Sequence, residues 1–328
     1  MENKLNINTN INTNTNTNIE ENISGGMNGA DTEKNKNDIK TNVEKIALIF
    51  EGGGMRAAFS CGISNTLLEN GIYFDYVVGL SAGSSMTVNY IARDKVRTKR
   101  SFVELAADPN FGGWKTFLQG KGFFNSEYIY EHTSGPGQAL PLDFDFFMAN
   151  PTRFRIIAYD MVADGPRIFT NSDIKKLPDL MKIVRASSSL PIFMKATEYE
   201  GKIYYDGGVL GGIPLDVAIS EGYEKFFIVR TQERSYRKKP VKHPILMEAY
   251  FRKNPAMAKR IIDRPQVYND TCDLIDRLEA QGKAYVVYPE DMKISNREKN
   301  VDVLEGLYRQ GLEIGKRDLE KWKKFINI

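Results

Sequence analysis

Short unbroken runs of apolar residues occur along the middle of the chain, and a helix-like segment follows most of them. The first run follows Lys45 and ends at Phe50, and the second begins at Tyr76. Two further strand-like segments, each with one arginine, occupy 154–159 and 226–230. Such runs are typical of strands buried on both faces of a parallel sheet. Their alternation with helical segments predicts right-handed βαβ units. The predicted fold class is therefore α/β, with a mainly parallel central sheet covered by helices.

The two ends of the chain have a different character. Residues 1–43 are rich in Asn and Thr, and no aromatic residue precedes Phe50. Such a segment buries too little apolar surface to offset the entropy of ordering, so we expect a disordered tail. From residue 234 to 328 the chain is more charged, and its last stretch has apolar residues at helical spacing. The sequence thus predicts a tail at 1–43, an α/β domain at 44–233 and a mainly helical extension at 234–328.

Composition narrows the classes of function. The 328 residues carry a net charge of only +3, which does not argue for nucleic-acid binding. Two cysteines cannot build a disulfide framework, and the chain has neither a C-x-x-C nor an H-E-x-x-H pattern, so we expect no metal and no cofactor. We see no signal-peptide pattern and no run near the ~20 apolar residues of a membrane span. The prediction is a soluble cytoplasmic protein, with peripheral membrane contact left open.

A G-x-S-x-G segment occupies 79–83, between the second apolar run and a helix-like segment. In a strand–turn–helix context this motif exposes a serine hydroxyl on a sharp turn. Gly79 and Gly83 suit a turn where neighbouring elements pass too close for a Cβ. Ser81 is therefore a candidate nucleophile. The alternative is a serine that only caps the following helix.

A glycine-rich turn follows the first predicted strand and contains Gly52, Gly53 and Gly54, with Arg56 just beyond. Successive glycine amides can present N–H groups to an anion, and the helix behind them adds positive dipole character. These amides are candidates for an oxyanion hole, and Arg56 would support the loop or stabilise nearby negative charge. Because this turn and the serine turn both follow parallel strands, we expect them at the same edge of the sheet.

A serine nucleophile also needs a base. The two histidines lie in polar or basic segments rather than at strand-to-loop junctions, which disfavours a histidine triad (His132 and His243). Asp206 ends a short predicted strand, and Gly207 and Gly208 let the backbone turn and aim its carboxylate into the crevice. A dyad of Asp206 with the motif serine is our hypothesis, and an ordinary Asp-Gly-Gly turn is the alternative. Since a free aspartate has a pKa near ~3.9 and is a weak base, we expect ester substrates and modest turnover.

Together these motifs resemble the signatures of patatin-like phospholipases. The segments 51–56, 79–83 and 206–208 occur in that family's order, and 185–191 resembles a further shared segment. The resemblance covers roughly 45–230, and the C-terminal part looks like the extension found in the family's bacterial branch. One departure is Ala57, where the family usually has the last glycine of its first motif.

The resemblance implies a three-layer α/β/α fold and metal-independent hydrolysis of the fatty-acyl esters of lipids or phospholipids. It further implies that Ser81 is the nucleophile, that Asp206 accepts its proton, and that the glycine-loop amides, chiefly those of Gly53 and Gly54, form the oxyanion hole. An acyl-enzyme intermediate would then be hydrolysed by water.

Basic residues follow the strand that ends at Arg230, and we expect their loop at the same sheet edge as the serine (Arg237, Lys238, Lys239 and Lys242). The hypothesis is that they contact anionic lipid headgroups, each contributing at most ~1 kcal/mol. The alternative is an ordinary solvated surface. Several aromatic residues between 111 and 124 are candidates for an acyl pocket or a lid, with core packing as the alternative.

Two other functions stay open. One is a lipid-binding or partner-binding module on the same fold without turnover. The other is a dinucleotide-binding enzyme, because Gly52, Gly54 and Ala57 fit the nucleotide fingerprint and Asp75 stands roughly where a ribose-binding acid would. The triple glycine followed by Met-Arg, together with the serine motif, argues against the second function.

Overall fold

A mixed eight-stranded sheet forms the centre of the computed structural model, which describes residues 39–328. Its strands are β1 (Ile46–Phe50), β2 (Tyr76–Leu80), β3 (Arg153–Asp160), β4 (Gly165–Phe169), β5 (Thr197–Tyr199), β6 (Lys202–Asp206), β7 (Lys225–Val229) and β8 (Ala284–Val287). The apolar runs of the sequence are the central strands, and every residue of β1 and β2 is buried. This agrees with the predicted buried parallel sheet.

Helices connect these strands and cover both faces of the sheet. They are α1 (Ala57–Glu69), α2 (Ala82–Ile91), α3 (Lys95–Phe102), α4 (Trp114–Leu118), α5 (Ser126–Glu131), α6 (Phe144–Ala149), α7 (Leu177–Ser188), α8 (Leu215–Ser220), α9 (Pro244–Tyr250), α10 (Pro255–Ala280) and α11 (Val301–Ile326). A short 3-10 turn, Gly54–Arg56, precedes α1.

Alternate residues of β1 enter two different cores. Leu48 and Phe50 pack in a cluster with α1, α2, α7 and α11, whereas Ala47 and Ile49 pack in a second cluster with α8 and α10. Because side chains alternate across a strand, the two clusters lie on opposite faces of the sheet. The fold is therefore a three-layer α/β/α sandwich, as predicted.

Strands β1, β2, β3, β7 and β8 pair with one another in parallel, whereas β4 and β6 run antiparallel to β3. On β3, the β4 pairing spans Ile156–Asp160 and overlaps both the β2 pairing, which ends at Ile157, and the β6 pairing, which begins at Ala158. A strand has two edges, so β2 and β6 must share the one that β4 leaves free. Strands β2 and β6 run towards each other along this edge of β3, and their C-terminal ends meet there.

The C-terminal part of the chain belongs to the same compact unit. It consists mainly of α9, α10 and α11, and it also supplies β8, a strand that the sequence pattern did not predict. β8 pairs in parallel with β7 and extends the central sheet. Helix α11 packs along α1, so this part is built into the α/β core.

The predicted N-terminal tail lies mainly outside the described residues, which begin at 39. Within them, Val43 is buried and bridges to Phe74, and the Asn42 amide donates to the carbonyl of Tyr73. These contacts tie residues 42 and 43 to the segment that precedes β2.

The contact between α1 and α11 gives a stability test. A Cβ at Gly311 would collide with the Phe59 carbonyl oxygen, whereas a Cβ at Gly306, on the same helix, meets nothing within 4 Å. We expect Gly311→Ala to lower the free energy of unfolding by about 1–3 kcal/mol. Gly306→Ala is the matched control, and its better helix propensity should raise stability by up to ~1 kcal/mol. Urea unfolding of both variants measures the difference, and equal effects would contradict this packing.

Candidate active site

Ser81 lies on the sharp turn between β2 and α2. Its backbone is at φ 54° and ψ −130°, a region that costs a non-glycine residue roughly 1–3 kcal/mol. The motif glycines make the turn possible, because a Cβ at Gly79 would collide with the Gly83 carbonyl and one at Gly83 with the Phe50 carbonyl. The turn is therefore sharp and leaves no room for a side chain at either motif glycine.

The C-terminal end of α7 holds this turn from behind. The Ser81 amide donates to both the carbonyl oxygen and the Oγ of Ser187, at 3.1 and 3.0 Å. The Ser187 hydroxyl in turn donates to the carbonyl of Ile157 in β3 at 2.6 Å. Two residues on, the Ser189 carbonyl accepts the amide of Asp206 at 2.9 Å. One segment thus positions both members of the predicted dyad.

The two predicted dyad residues are in direct contact. Ser81 Oγ donates to Asp206 Oδ2 at 2.7 Å, and the other carboxylate oxygen, Oδ1, accepts the Gly208 amide at 2.6 Å. Asp206 is 1% exposed and Ser81 is 8% exposed. Burial raises the pKa of the Asp206 carboxyl above its ordinary value, against the opposing hydrogen bonds from Ser81 and Gly208 and the charge of Arg264. A raised pKa makes this carboxylate a better proton acceptor than a free aspartate.

Gly207 and Gly208 lie where a side chain would not fit well. A Cβ at Gly207 would collide with the Ile157 carbonyl, and one at Gly208 would come within 2.8 Å of Asp206 Oδ1. The pair of glycines therefore lets the chain turn tightly around the carboxylate.

A second buried carboxylate, Glu51, lies directly after β1. It accepts hydrogen bonds from Arg230 Nε at 2.8 Å, the Tyr268 hydroxyl at 2.6 Å and the Thr231 amide at 2.7 Å. Burial alone would raise the pKa of Glu51, but the charge of Arg230 and these hydrogen bonds hold it below its ordinary value. Glu51 is therefore a structural anion that ties the glycine loop to β7 and α10.

The glycine loop keeps two of its amides free. The Gly52 amide donates to the Gly212 carbonyl at 3.1 Å, so it is engaged elsewhere and drops out of the predicted oxyanion set. Those of Gly53 and Gly54 donate to no acceptor within residues 39–328. Gly54 has a φ of 57°, and a Cβ there would collide with the Asn296 carbonyl, which explains the glycine.

An apolar cavity of about 80 Å³ opens beside Ser81, between α2, α3, α5 and α7. Its walls are mainly apolar side chains, including Val88, Phe102, Phe111, Phe124 and Met181. Of the aromatic residues predicted as pocket or lid candidates, Phe111 and Phe124 line this cavity, whereas Trp114 and Phe117 are exposed.

A second, smaller pocket of about 30 Å³ also has Ser81 in its wall. It is lined by the glycine loop, Asp206 and three cationic side chains (Arg56, Lys238 and Arg264). The Arg56 Nε is buried and has no hydrogen-bond partner within the described chain. Arg56 therefore lines the small pocket with one donor that lacks a partner among the described residues.

Residues of the predicted membrane-facing basic segment have three different surroundings. Arg237 forms ion pairs with Asp273 and Asp276, at 3.0 and 2.8 Å. Lys238 turns inward to line the small pocket. Lys239 and Lys242 are exposed.

Three residues weighed as alternatives lie away from Ser81. His132 is exposed near Glu127, and His243 is exposed at the start of α9, and neither lines the cavity or the small pocket. Asp75 precedes β2 and lies 3.6 Å from Arg153, at the sheet edge opposite the glycine loop. Asp75 therefore cannot bind the ribose of a nucleotide placed on that loop, which removes the main support for a dinucleotide site.

Residues 48–219, just over half of the chain, match the family described as patatin-like phospholipase. The chain belongs to this family. The predicted resemblance is thereby confirmed. A further stretch, 254–327, matches a domain of unknown function, DUF6363.

Curated relatives align with the same part of the chain. An uncharacterized protein, YjjU, from Escherichia coli is 24% identical over 57% of this chain and 52% of its own. The mouse patatin-like phospholipase domain-containing protein 7 is 27% identical over 54% of this chain and 13% of its own. A probable lipid hydrolase, 463L, of Invertebrate iridescent virus 6 is 22% identical over 52% and 62%. The matches thus span about half of the viral and bacterial relatives and a small part of the mouse protein.

Metal clusters and membrane-spanning helices are both absent from residues 39–328. Within 39–328, no group of three or more His, Cys, Asp or Glu side chains is arranged to hold a metal ion. No helix in that range combines the length and the apolar character needed to cross a bilayer.

The opposite environments of the two buried carboxylates give a second stability test. Asp206→Asn keeps both hydrogen bonds in reach and removes a charge that is costly to bury, so stability at pH 7 should hold or rise. Glu51→Gln leaves Arg230 buried without its counter-ion and should cost about 3–5 kcal/mol. Thermal unfolding at pH 7 compares them, and a large loss for Asp206→Asn alone would contradict this assignment of charges.

Proposed function

We propose that this chain is a serine acyl hydrolase that cleaves fatty-acyl esters of lipids or phospholipids, with Ser81 as nucleophile and Asp206 as proton acceptor. The observation that carries the proposal is the 2.7 Å hydrogen bond from Ser81 Oγ to a buried Asp206 carboxylate, beside an apolar cavity. Family membership supports the same activity, as does the similarity to the probable lipid hydrolase of the virus.

In the proposed reaction, Asp206 takes the hydroxyl proton as Ser81 Oγ forms a bond to the acyl carbonyl carbon. The carbonyl oxygen becomes an oxyanion, and the free amides of Gly53 and Gly54 donate hydrogen bonds to it. The bond to the alcohol then breaks, and Asp206 returns the proton to the leaving alkoxide. Water attacks the acyl-enzyme, giving one proton to Asp206, which passes it back to Ser81 as the fatty acid leaves.

The surroundings of the dyad favour esters with an apolar acyl chain. The cavity beside Ser81 is lined mainly by aliphatic and aromatic side chains, which gain free energy by removing hydrocarbon from water. An alkoxide leaving group needs less help from an acid than an amide nitrogen does, which suits a carboxylic acid as the returning proton donor.

Activity of purified protein on p-nitrophenyl esters of graded chain length, with EDTA present, tests this proposal. We expect wild type to release p-nitrophenol and both Ser81→Ala and Asp206→Asn to lose at least about 10³-fold in kcat/KM. The rate should fall as acid protonates Asp206, with a midpoint above the ordinary aspartate pKa because burial raises that pKa.

Two matched variants control this experiment. Ser220→Ala and Asp216→Asn change the same residue types on α8, away from Ser81, and should retain wild-type rates. No release by folded wild type, with phospholipid substrates also tried, would favour a binding module on the same fold instead.

We also propose that the exposed end of the basic segment approaches a lipid surface. Lys239 and Lys242 are exposed, and α9 follows directly with exposed apolar side chains (Ile245, Leu246 and Tyr250). A cationic stretch beside exposed apolar residues is the combination by which amphipathic segments bind anionic membranes.

Sedimentation with anionic vesicles tests the membrane proposal. We expect Lys239→Gln combined with Lys242→Gln to weaken vesicle binding up to about thirtyfold, because each charge contributes roughly 1 kcal/mol at such a surface. The control is Lys316→Gln with Lys324→Gln, which removes two exposed charges from α11. Unchanged binding in the first variant, or equal loss in both, would argue against this surface.

A further inference from the structure

The small pocket and the apolar cavity meet at Ser81. Ser81, Gly54 and Leu190 belong to the walls of both. An ester whose carbonyl carbon reaches Ser81 Oγ with its acyl chain in the apolar cavity would direct its alcohol part towards the small pocket. The chemistry of that pocket therefore bears on which alcohols can leave.

The walls of the small pocket carry an excess of positive charge. Arg56, Lys238 and Arg264 contribute three cations, and the carboxylates are Glu51 and Asp206. Glu51 is neutralised by its ion pair with Arg230. With Lys238 protonated, three cations against the single charge of Asp206 leave a net of about two positive charges facing the pocket.

None of these three cations is satisfied by a carboxylate. Within residues 39–328, no acidic oxygen lies within 4 Å of Arg56, Lys238 or Arg264. Lys238 Nζ lies 4.0 Å above the ring of Tyr268, and Arg264 Nε makes only a long contact of 3.4 Å with the Gly211 carbonyl. Together with the unpartnered Arg56 Nε, the pocket presents donors that lack acceptors.

Burial and the nearby positive charges also affect the pKa values of the cationic side chains in this pocket. Burial lowers the pKa of Lys238 to about 7, with further lowering from Arg264 and Arg56. Burial also lowers the pKa of Arg56. An anion placed among them would offset this cost and return the pKa of Lys238 towards its usual range.

A terminal phosphate fits these features. Its oxygens accept only, it carries a charge of about −1.5 to −2 near neutral pH, and guanidinium groups bind it in a bidentate fashion. The excess of about two positive charges matches a phosphomonoester better than a carboxylate or a phosphodiester, which carry one negative charge. A pocket of about 30 Å³ also suits one compact group more than a headgroup that extends beyond the phosphorus.

We propose that this pocket binds the phosphate of a phosphomonoester on the leaving-group side of Ser81, and that the preferred substrates are acyl esters of a glycerol phosphate. The inference rests on the proposed acyl-hydrolase function. Lys238 and Arg264 lie beyond residue 219, where the family match ends, and Arg264 falls within the domain of unknown function. The C-terminal part of the chain thereby supplies substrate selectivity to the dyad.

Matched substrates test the selectivity. Octanoylglycerol phosphate, its phosphocholine diester and neutral octanoylglycerol, each below its micelle concentration, share one acyl chain, and released octanoate is measured by mass spectrometry. We expect wild-type kcat/KM to be at least about tenfold higher for the phosphomonoester than for either other substrate, as a charge-assisted contact allows.

Substitution of the two C-terminal cations should remove this preference. Lys238→Met keeps an apolar stem over Tyr268, and we expect it and Arg264→Met each to lower the phosphomonoester-to-neutral ratio about tenfold. Lys316→Met, an exposed lysine on α11 with the same change in charge, is the control and should keep the wild-type ratio. A wild-type ratio near one, an unchanged ratio in both variants, or an equal fall in the control would overturn the proposal.

Binding without turnover separates this proposal from the proposed function. Calorimetry with glycerol 3-phosphate, inorganic phosphate and glycerol uses Ser81→Ala, alone and combined with Lys238→Met or Arg264→Met. We expect binding of glycerol 3-phosphate that either added substitution abolishes, and weaker binding of inorganic phosphate. If no ester is cleaved but this pattern holds, the hydrolase function fails and the phosphate pocket stands. Equal binding of both phosphates, or none, would overturn the pocket as a substrate subsite.

Discussion

The meeting of β2 and β6 on one edge of β3 is the constraint on which the site depends. β2 ends at Leu80 opposite Ile157, and β6 ends at Asp206 opposite Ala158, so the two chain ends arrive at adjacent positions from opposite directions. The next residue after Leu80 is Ser81. Backbone pairing thus places a hydroxyl beside a carboxylate, and the side chains need little freedom of their own to meet. The end of α7 secures this arrangement with one carbonyl to each side.

Charge is distributed around this junction in two ways. Glu51 and Arg230 neutralise each other within the core, and their hydrogen bonds hold the glycine loop against β7. The Asp206 carboxylate instead lies near the Ser81 hydroxyl, the Gly208 amide and the Arg264 guanidinium, and burial raises its pKa. Glu51 therefore stabilises the structure around the site. Asp206 is buried at a free-energy cost that raises its pKa, which suits its proposed role as proton acceptor. The remaining cations, Arg56, Lys238 and Arg264, line the small pocket beside the Ser81 hydroxyl.

Much of this was predictable because it depends on local pattern. Unbroken apolar runs indicated the central strands, and the glycines beside Ser81 and Asp206 indicated sharp turns whose close contacts exclude a Cβ. β8 was missed because it is only four residues long within a charged segment. The positioning role of Ser187 and Ser189 depends partly on backbone carbonyls, which carry no residue-type signal.

Long-range packing decided the remaining points. A run of basic residues in a sequence predicts a solvent-exposed surface. Lys238 instead packs over the ring of Tyr268, which lies thirty positions further along the chain. The Gly52 amide is similarly engaged by Gly212, far away in the chain. Asp75 lies at a suitable distance along the chain for a ribose contact but precedes β2 instead of following it, which places it at the wrong end of the sheet.

The pairing of β7 with both β1 and β8 has a consequence for where this chain can be divided. The family match ends at residue 219, before β7 begins, so a chain cut there would leave β1 as the outer strand of its sheet. β1 is apolar and fully buried, and its unpaired amides and carbonyls would offer a template for edge-to-edge aggregation. In the complete sheet the outermost strand on this side is β8, which is short and therefore a poor template. The C-terminal part thus protects the sheet from self-association.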